Sequence, residues 1–293
     1  MESITTEAQT GPSNDNVSMD ARTQIVQCER IVLSLNVDVL RQFCHEISAL
    51  VDEAKITVSV TDGLRAKVVD PAHIAMVDTG IALELLESFD FFQATSQLGE
   101  DGIVGEFGID VDKMESYLKT LKVKDTVLKL SVDLIARKLT IDSPIGQRVM
   151  SLIDTTGMSD PKIPTLNLPT EVRIEDQRAF RAILRQASEI SDHIAIRYDS
   201  AQNAMFLECE GDMDKMSSQV DAEIIGSDGY TKGWGEDKVQ TRDTKSLFPL
   251  EYLTEFVKAI SGPFNLTIGT DYPLKIAYGK TVYLLAPRIE SGD

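Results

Sequence analysis

Strand and helix patterns alternate from residue 30 onward. Residues 30–36 alternate apolar and polar side chains, as a half-buried strand does. From Val37 to Val51 the apolar residues recur at steps of three or four, which predicts an amphipathic helix. The segments 55–60 and 64–70 then alternate on either side of Asp62-Gly63, a dipeptide typical of hairpin turns.

The same order of elements recurs in the second half of the chain. Residues 170–174 predict a strand, and an apolar stripe from Phe180 to Ile190 predicts a helix. The segments 193–199 and 203–210 predict the next hairpin. This second series repeats the strand, helix and hairpin of the first.

Two pairs of residues give the spacing of the repeat. Ile56 corresponds to Ile194 in the hairpins, and Leu128 corresponds to Leu266 in a second unit of helix followed by strands, both at an offset of 138 residues. Because two separate units share one offset, we interpret the chain as an internal duplication.

The duplication defines the domain boundaries that we expect. Residues 1–21 are acidic and polar, which predicts a disordered tail. Prolines at 161, 164 and 169 predict an extended connector over residues 151–169. An N-terminal domain at 22–150 and a C-terminal domain at 170–293 remain, each with two helices on one face of antiparallel sheet. The predicted fold class is α+β.

Composition narrows the class of protein. The chain has 293 residues, 42% of them hydrophobic, and no run of 18 apolar residues, so we expect a globular protein without a membrane span. Three scattered cysteines form no disulfide framework, which suits the reducing cytoplasm. Taken as a whole, the net charge of −18 argues against nucleic acid as a partner.

The motifs of common catalytic and metal sites are missing from the sequence. It contains no phosphate-binding loop, zinc-binding HExxH or nucleophile elbow, and its three histidines are far apart. The acidic segment 110–115 opens a predicted helix, where aspartates cap free N–H groups. We therefore predict no catalytic residue, no cofactor and no metal. A hydrolase with a site dispersed along the sequence stays an alternative.

Basic residues on the predicted helices allow two interpretations. Arg178, Arg181 and Arg185 recur at steps of three and four and therefore share one stripe. They form either a solvated face with ion pairs or part of a basic surface to which the other helices contribute. Helix patterns alone leave both interpretations open.

Four segments carry a resemblance to a known family. Residues 64–78, 246–253, 270–279 and 283–290, together with the duplication and the connector, resemble the DNA polymerase sliding clamp of archaea and eukaryotes, the PCNA family, in its archaeal form. The likeness covers residues from about 22 to 290. It implies a homotrimeric ring without catalytic activity, with sheets outside and helices lining a hole for double-stranded DNA. In such a ring the bases face the hole and the acids face outward, so the net charge no longer excludes DNA.

The resemblance also implies three sets of site residues. Four bases of the channel helices match basic positions that face DNA in the family: Arg41, Lys119, Arg185 and Lys258. Lys122 and Arg181 are two further candidate bases for contact with DNA. The pocket for partner peptides comprises Val69, His73, Ile74, Met76, Ile163, Pro164, Pro273, Leu284, Ala286 and Pro287. The subunit interface comprises Gln147, Arg148, Val149 and Met150 on one edge and Lys215, Met216, Ser217, Ser218 and Gln219 on the other.

The partners follow from the same resemblance. They are double-stranded DNA bound without sequence preference, further copies of the chain, and DNA polymerase, clamp loader, flap endonuclease and DNA ligase through peptides with a glutamine anchor. The implied role is a processivity factor and docking platform in replication and repair. A clamp paralogue in a heterotrimeric checkpoint or repair ring is the alternative within the same fold.

Overall fold

The computed structural model describes residues 28–93, 102–122, 125–158, 161–166, 168–227 and 243–289. The predicted acidic tail and the loop around Trp234 lie outside these residues. Elements of the first half are β1 (Cys28–Asn36), α1 (Val37–Ser48), β2 (Glu53–Ser59), β3 (Gly63–Val69), β4 (Ala75–Ile81), β5 (Leu86–Gln93), β6 (Ile103–Asp110), α2 (Val111–Thr120), β7 (Val127–Asp133), β8 (Lys138–Ser143) and β9 (Gly146–Ser151).

The second half repeats this order. Its elements are β10 (Thr170–Ile174), α3 (Gln177–Ala187), β11 (His193–Asp199), β12 (Ala204–Glu210), β13 (Lys215–Val220), β14 (Glu223–Ser227), β15 (Thr244–Pro249), α4 (Leu250–Ala259), β16 (Phe264–Ile268), β17 (Leu274–Tyr278) and β18 (Thr281–Leu285). Both predicted hairpins are present, β2–β3 and β11–β12. Gly63 has φ +82° in the first turn, where a Cβ would meet the Ile81 carbonyl oxygen.

The described strands form three antiparallel sheets. One sheet has the order β5-β1-β7-β8-β9, and another has the order β13-β12-β11-β15. The largest has nine strands in the order β14-β10-β16-β17-β18-β4-β3-β2-β6, so it contains strands of both halves. The sequence patterns predicted only some of these strands; β4, β5, β6, β14 and β15 were missed.

Short polar side chains cap the start of three of the four described α-helices, whereas α4 begins after Pro249 without such a cap. Asn36, Asp110 and Asp176 accept hydrogen bonds from backbone N–H groups in the first turn of α1, α2 and α3. The predicted cap at the start of α2 is therefore confirmed. Helix α1 ends at Ser48, before the apolar stripe does, and the N–H groups of Leu50 and Val51 both donate to the Ile47 carbonyl.

Two groups of buried apolar side chains make up the core. One is built from first-half residues between Cys28 and Ile141, and the other centres on second-half residues but includes Ala75 and Val77 of β4. The helices form one layer, in which α2 packs on α1, α1 on α4 and α4 on α3. Within the described parts of the chain, every helix is too short or too polar to span a bilayer.

The two halves meet where β4 pairs with β18. Glu46 of α1, which is 5% exposed, sits above this pair. Its Oε2 accepts hydrogen bonds from the hydroxyls of Thr79 on β4, at 2.5 Å, and Thr281 on β18, at 2.6 Å. Its backbone carbonyl accepts a third from the Tyr283 hydroxyl at 3.1 Å. One helix residue thus holds both strands of the seam.

We expect Glu46→Ala to lower the free energy of unfolding by about 2–3 kcal/mol, because it removes hydrogen bonds from two buried hydroxyls. Urea unfolding followed by circular dichroism measures this change. Glu255→Ala is the control, since Glu255 is half exposed and, among the described residues, pairs only with Lys258; its cost should stay below about 0.5 kcal/mol. Equal costs for the two variants would contradict the role of Glu46 at the seam.

Candidate functional site

The six candidate DNA-facing bases lie on the shared helix layer or directly after one of its helices. Arg41 is on α1, Lys119 on α2, and Lys258 on α4, whereas Lys122 follows the end of α2. Arg181 and Arg185 are on α3, together with Arg178. The structure therefore brings the predicted bases to one side of the molecule.

The three arginines of α3 differ from the other bases. Arg178 and Arg185 are exposed, and Arg181 is half-buried, on the side of α3 that turns away from the buried Phe180 and Leu184. Within the described part of the chain, none of these three guanidinium groups forms an ion pair. They are available to an external anion.

The lysines on α2 and α4 are held by acids of their own helix. Lys119 lies 2.8 Å from Glu115, and Lys258 lies 2.5 Å from Glu255. Glu115 also accepts a hydrogen bond from the Ser48 hydroxyl at 3.0 Å. Burial pushes the pKa of Glu115 up, but its hydrogen bonds with Lys119, His45 and Ser48 outweigh this and lower that pKa. These lysines match the interpretation of a solvated face with ion pairs.

Arg41 is used inside the molecule. Its guanidinium pairs with Asp38 at 2.5 Å and donates to the carbonyls of Leu118 and Leu121 at the C-terminal end of α2. They lie in or just after the last turn of α2, where carbonyls lack the N–H partners of the helix interior, although Leu118 also accepts from the Leu121 N–H at 3.2 Å. Arg41 therefore caps α2 and ties it to α1, a role that its position in the sequence did not reveal.

The predicted peptide pocket is partly assembled around the seam of the nine-stranded sheet. Val69, Met76 and Leu284 are direct neighbours across β3, β4 and β18. The Ala286 N–H donates to the Ile74 carbonyl at 2.8 Å, which places the segment after β18 beside the loop before β4.

The rest of the predicted pocket is less well defined. Pro273 directly precedes Leu274, the partner of Leu285, so it lies at the same end of the sheet as Pro287. Ile163 is half-buried and Pro164 is exposed. The contribution of these two connector residues to the pocket stays a prediction.

Asp70 organises the loop that carries His73 and Ile74. Its carboxylate accepts hydrogen bonds from the N–H groups of Ala72, Ile74 and Ala75 at 2.7–2.9 Å, and from the Tyr252 hydroxyl at 2.9 Å. Burial alone would raise the pKa of Asp70, but these hydrogen bonds together lower it. His73 adopts a positive φ of 59° in this loop. The Asp-Pro dipeptide at 70–71 was the signal for such a turn.

The two predicted interface segments are edge strands. The strand β9, with Gln147–Met150, ends the five-stranded sheet, and β13, with Lys215–Gln219, ends the four-stranded sheet. Large apolar side chains near them are strongly exposed: Ile145 to 68%, Val149 to 53% and Met213 to 96%. These edges offer unpaired backbone groups to another strand.

The remaining chemistry-bearing side chains have structural surroundings. All three cysteines are buried and free, and burial raises the pKa of each thiol. Histidines at 45 and 193 lie beside carboxylates of Glu115 and Asp192. The described residues contain no group of three side chains suited to bind a metal ion.

Comparison with known proteins identifies the family. No family model matches the chain. A DNA polymerase sliding clamp of Methanocella arvoryzae is 33% identical over 269 residues, which cover 88% of this chain and 98% of that protein. One of Halobacterium salinarum is 31% identical over 266 residues, with the same coverage. The chain belongs to the DNA polymerase sliding clamp family.

Solved structures agree with this assignment. The PCNA of A. fulgidus, solved with the C-terminal region of FEN-1 bound to it, superposes with a TM-score of 0.71 at 25% identity over 89% of this chain and all of that one. The PCNA of Entamoeba histolytica has the same TM-score at 17% identity, which establishes the fold alone. The sequence-based expectations of an archaeal sliding clamp and of its mixed α+β fold are confirmed.

For the clamp channel, we expect Arg41→Ala to lower the free energy of unfolding by about 1–2 kcal/mol, because the end of α2 loses its cap. Urea unfolding measures the change. Arg185→Ala should stay within about 0.5 kcal/mol of the parent, since its side chain is exposed and unpaired within the described residues. If both variants unfold alike, Arg41 has no structural role of this kind.

For the clamp groove, we expect Asp70→Asn to destabilise the protein by about 1–3 kcal/mol near neutral pH, because the amide replaces a carboxylate that accepts four hydrogen bonds. Since the folded pKa lies below the ordinary value of 3.8, the stabilisation by Asp70 is present above that value and is lost as pH falls through the folded pKa. The difference in unfolding free energy between parent and variant should therefore begin to shrink as pH falls below 3.8 and be smallest below the folded pKa. A difference that persists at acid pH would contradict this.

Proposed function

We propose that three copies of this chain form a closed ring around double-stranded DNA in the cytoplasm. The ring acts without catalysing a reaction: it holds a DNA polymerase on its template and docks other replication and repair proteins. The proposed subunit has a clamp domain at 22–150, a connecting loop at 151–169 and a second clamp domain at 170–293.

The open edges of β9 and β13 carry the proposal. They belong to different halves, so pairing β9 of one copy with β13 of the next is head-to-tail and leaves the same edges free for a further copy. A closed ring covers all of them, whereas a monomer would leave two strand edges prone to aggregation. Because one chain carries both edges, copies of it can assemble with one another without a second kind of subunit.

The helix layer supplies the inner surface of the proposed ring. Arg181 and Arg185, with Lys119, Lys122 and Lys258, contact the phosphates of the duplex without reading its sequence. Acids facing outward account for the net charge of −18 and discourage binding of nucleic acid elsewhere. The closed path of the ring, more than affinity, retains the DNA.

The groove at the seam takes the partner peptides. Apolar side chains of Val69, Ile74, Met76 and Leu284 bury hydrophobic anchors, and backbone carbonyls near Ala286 accept hydrogen bonds from a glutamine amide. Support comes from the A. fulgidus PCNA, which is solved with a C-terminal region of FEN-1. By this likeness, polymerase, clamp loader, flap endonuclease and DNA ligase are the proposed partners.

Primer extension by a replicative DNA polymerase of a related archaeon, with its clamp loader, tests the proposal. On singly primed circular DNA, the clamp should lengthen the products several-fold. A linear template with open ends should lose most of this gain, because a ring slides off. Equal stimulation on both templates would contradict topological retention.

Two variants separate docking from ring formation. Ala286→Arg places a long cation in the groove and should abolish stimulation while the native mass of the assembly is unchanged. Ile135→Arg changes a side chain that is already 73% exposed, away from the groove, and should leave stimulation at the parent level. Loss of stimulation in both variants would argue against the groove as the docking site.

A further inference from the structure

The floor of the groove is an apolar row on the outer face of the nine-stranded sheet. Val69, Met76 and Leu284 follow one another across β3, β4 and β18. Val77 and Leu285, the next residues along β4 and β18, belong to the core. Because successive side chains of a strand point to opposite faces, Met76 and Leu284 point away from the core and the helices.

A lysine continues this row on one side of the floor. On β17, Lys275 lies directly opposite Leu284 and between two fully buried residues, so it also points outward. The next acid in the row, Glu171, is two strands further away and accepts a hydrogen bond from Asn265 at 2.8 Å. Within the described part of the chain, the half-buried Lys275 therefore has no ion-pair partner.

A second lysine borders the floor along β3. Lys67 lies two residues from Val69 on the same face of the strand and is diagonal to Met76. The acid opposite Lys67 is Asp78, whose two carboxylate oxygens accept hydrogen bonds from Nε and Nη2 of Arg65 at 2.8 and 2.6 Å. Since Arg65 already neutralises Asp78, the positive charge of Lys67 is in excess.

The strands around the groove are basic, although the chain as a whole is acidic. Together β3, β4, β17 and β18 carry three basic side chains and one acidic side chain. The whole chain has 47 acidic against 29 basic residues. A local excess of positive charge beside an apolar floor favours a partner that combines apolar groups with carboxylates.

The end of the connector limits the groove beyond Lys275. A Cβ on Gly269, which follows β16, would lie 3.1 Å from Cδ of Pro169 and 3.3 Å from Cδ2 of Leu168, so the connector packs against this end of the sheet. Lys275 thus lies between the connector and the apolar floor. In this position it meets the flank of a peptide that is seated on Leu284.

Resting on the docking function proposed above, we infer that the groove selects partner peptides in which acidic residues flank the apolar anchor. The anchor lies on Met76 and Leu284. A carboxylate on one side of it pairs with Lys275, and a carboxylate on the other side pairs with Lys67. Because the anchor keeps water away from these pairs, each contributes more to affinity than an ion pair on an open surface does.

Three synthetic peptides test this selection on the full-length protein. They share one glutamine and one set of apolar anchors and differ only in the two residues that flank the anchors: glutamine in the neutral probe, glutamate in the acidic probe and lysine in the basic probe. Fluorescence anisotropy at physiological ionic strength measures each dissociation constant. The parent should bind the acidic probe about tenfold more tightly than the neutral probe and the basic probe most weakly.

Charge reversal at the two lysines provides the matched variants. Lys275→Glu or Lys67→Glu alone should abolish the preference, and the double variant should prefer the basic probe. The control is Lys280→Glu, the same change in the exposed turn between β17 and β18; it should keep the preference, because it lies five residues and about 17 Å from Lys275 along the strand. Unchanged affinity for the neutral probe shows that the groove is intact in each variant.

The outcomes separate the selection from the docking function. A parent that binds all three probes equally overturns the selection but not the groove, whereas a parent that binds none of them overturns both. A preference that survives in the double variant, or that Lys280→Glu also removes, overturns the assignment to Lys275 and Lys67. Reversal of the preference in the double variant, with the control unchanged, supports the selection and the groove together.

Discussion

The antiparallel pair of β4 and β18 is the constraint on which the rest of the structure depends. It merges strands of both halves into one nine-stranded sheet and places the four helices side by side in one layer. The groove lies on the same pair, since Met76 and Leu284 are neighbours within it. A change in this register by one residue would turn those side chains to the opposite face of the sheet.

The seam inside the chain is fixed from the helix layer. A buried carboxyl group of Glu46 and two threonine hydroxyls hold both of its strands to α1. Near the edge strands β9 and β13, by contrast, Ile145, Val149 and Met213 are strongly exposed in the single chain.

Local patterns predicted the elements well, and long-range contacts explain what they missed. Neighbouring residues determine the turn at Asp62-Gly63 and the cap at Asp110, so the sequence predicted both. The offset of 138 residues follows from comparing two such local patterns. The role of Arg41 depends on carbonyls 77 and 80 residues away, and that of Glu46 depends on Thr281, 235 residues away. No periodic pattern records such partners.

The separation of the two seam strands also bears on synthesis of the protein. Thr79 and Thr281 touch at 2.8 Å but are 202 residues apart in the chain. At ordinary rates of translation, β18 leaves the ribosome roughly 10–40 s after β4. In the later part of that interval all the first-half strands have been made, while β4 still presents an open edge and Glu46 lacks two of its three hydroxyl partners, Thr281 and Tyr283. The nascent chain therefore passes through a long-lived state with an unfinished sheet, and the seam closes only after β18 has been made, about 200 residues later.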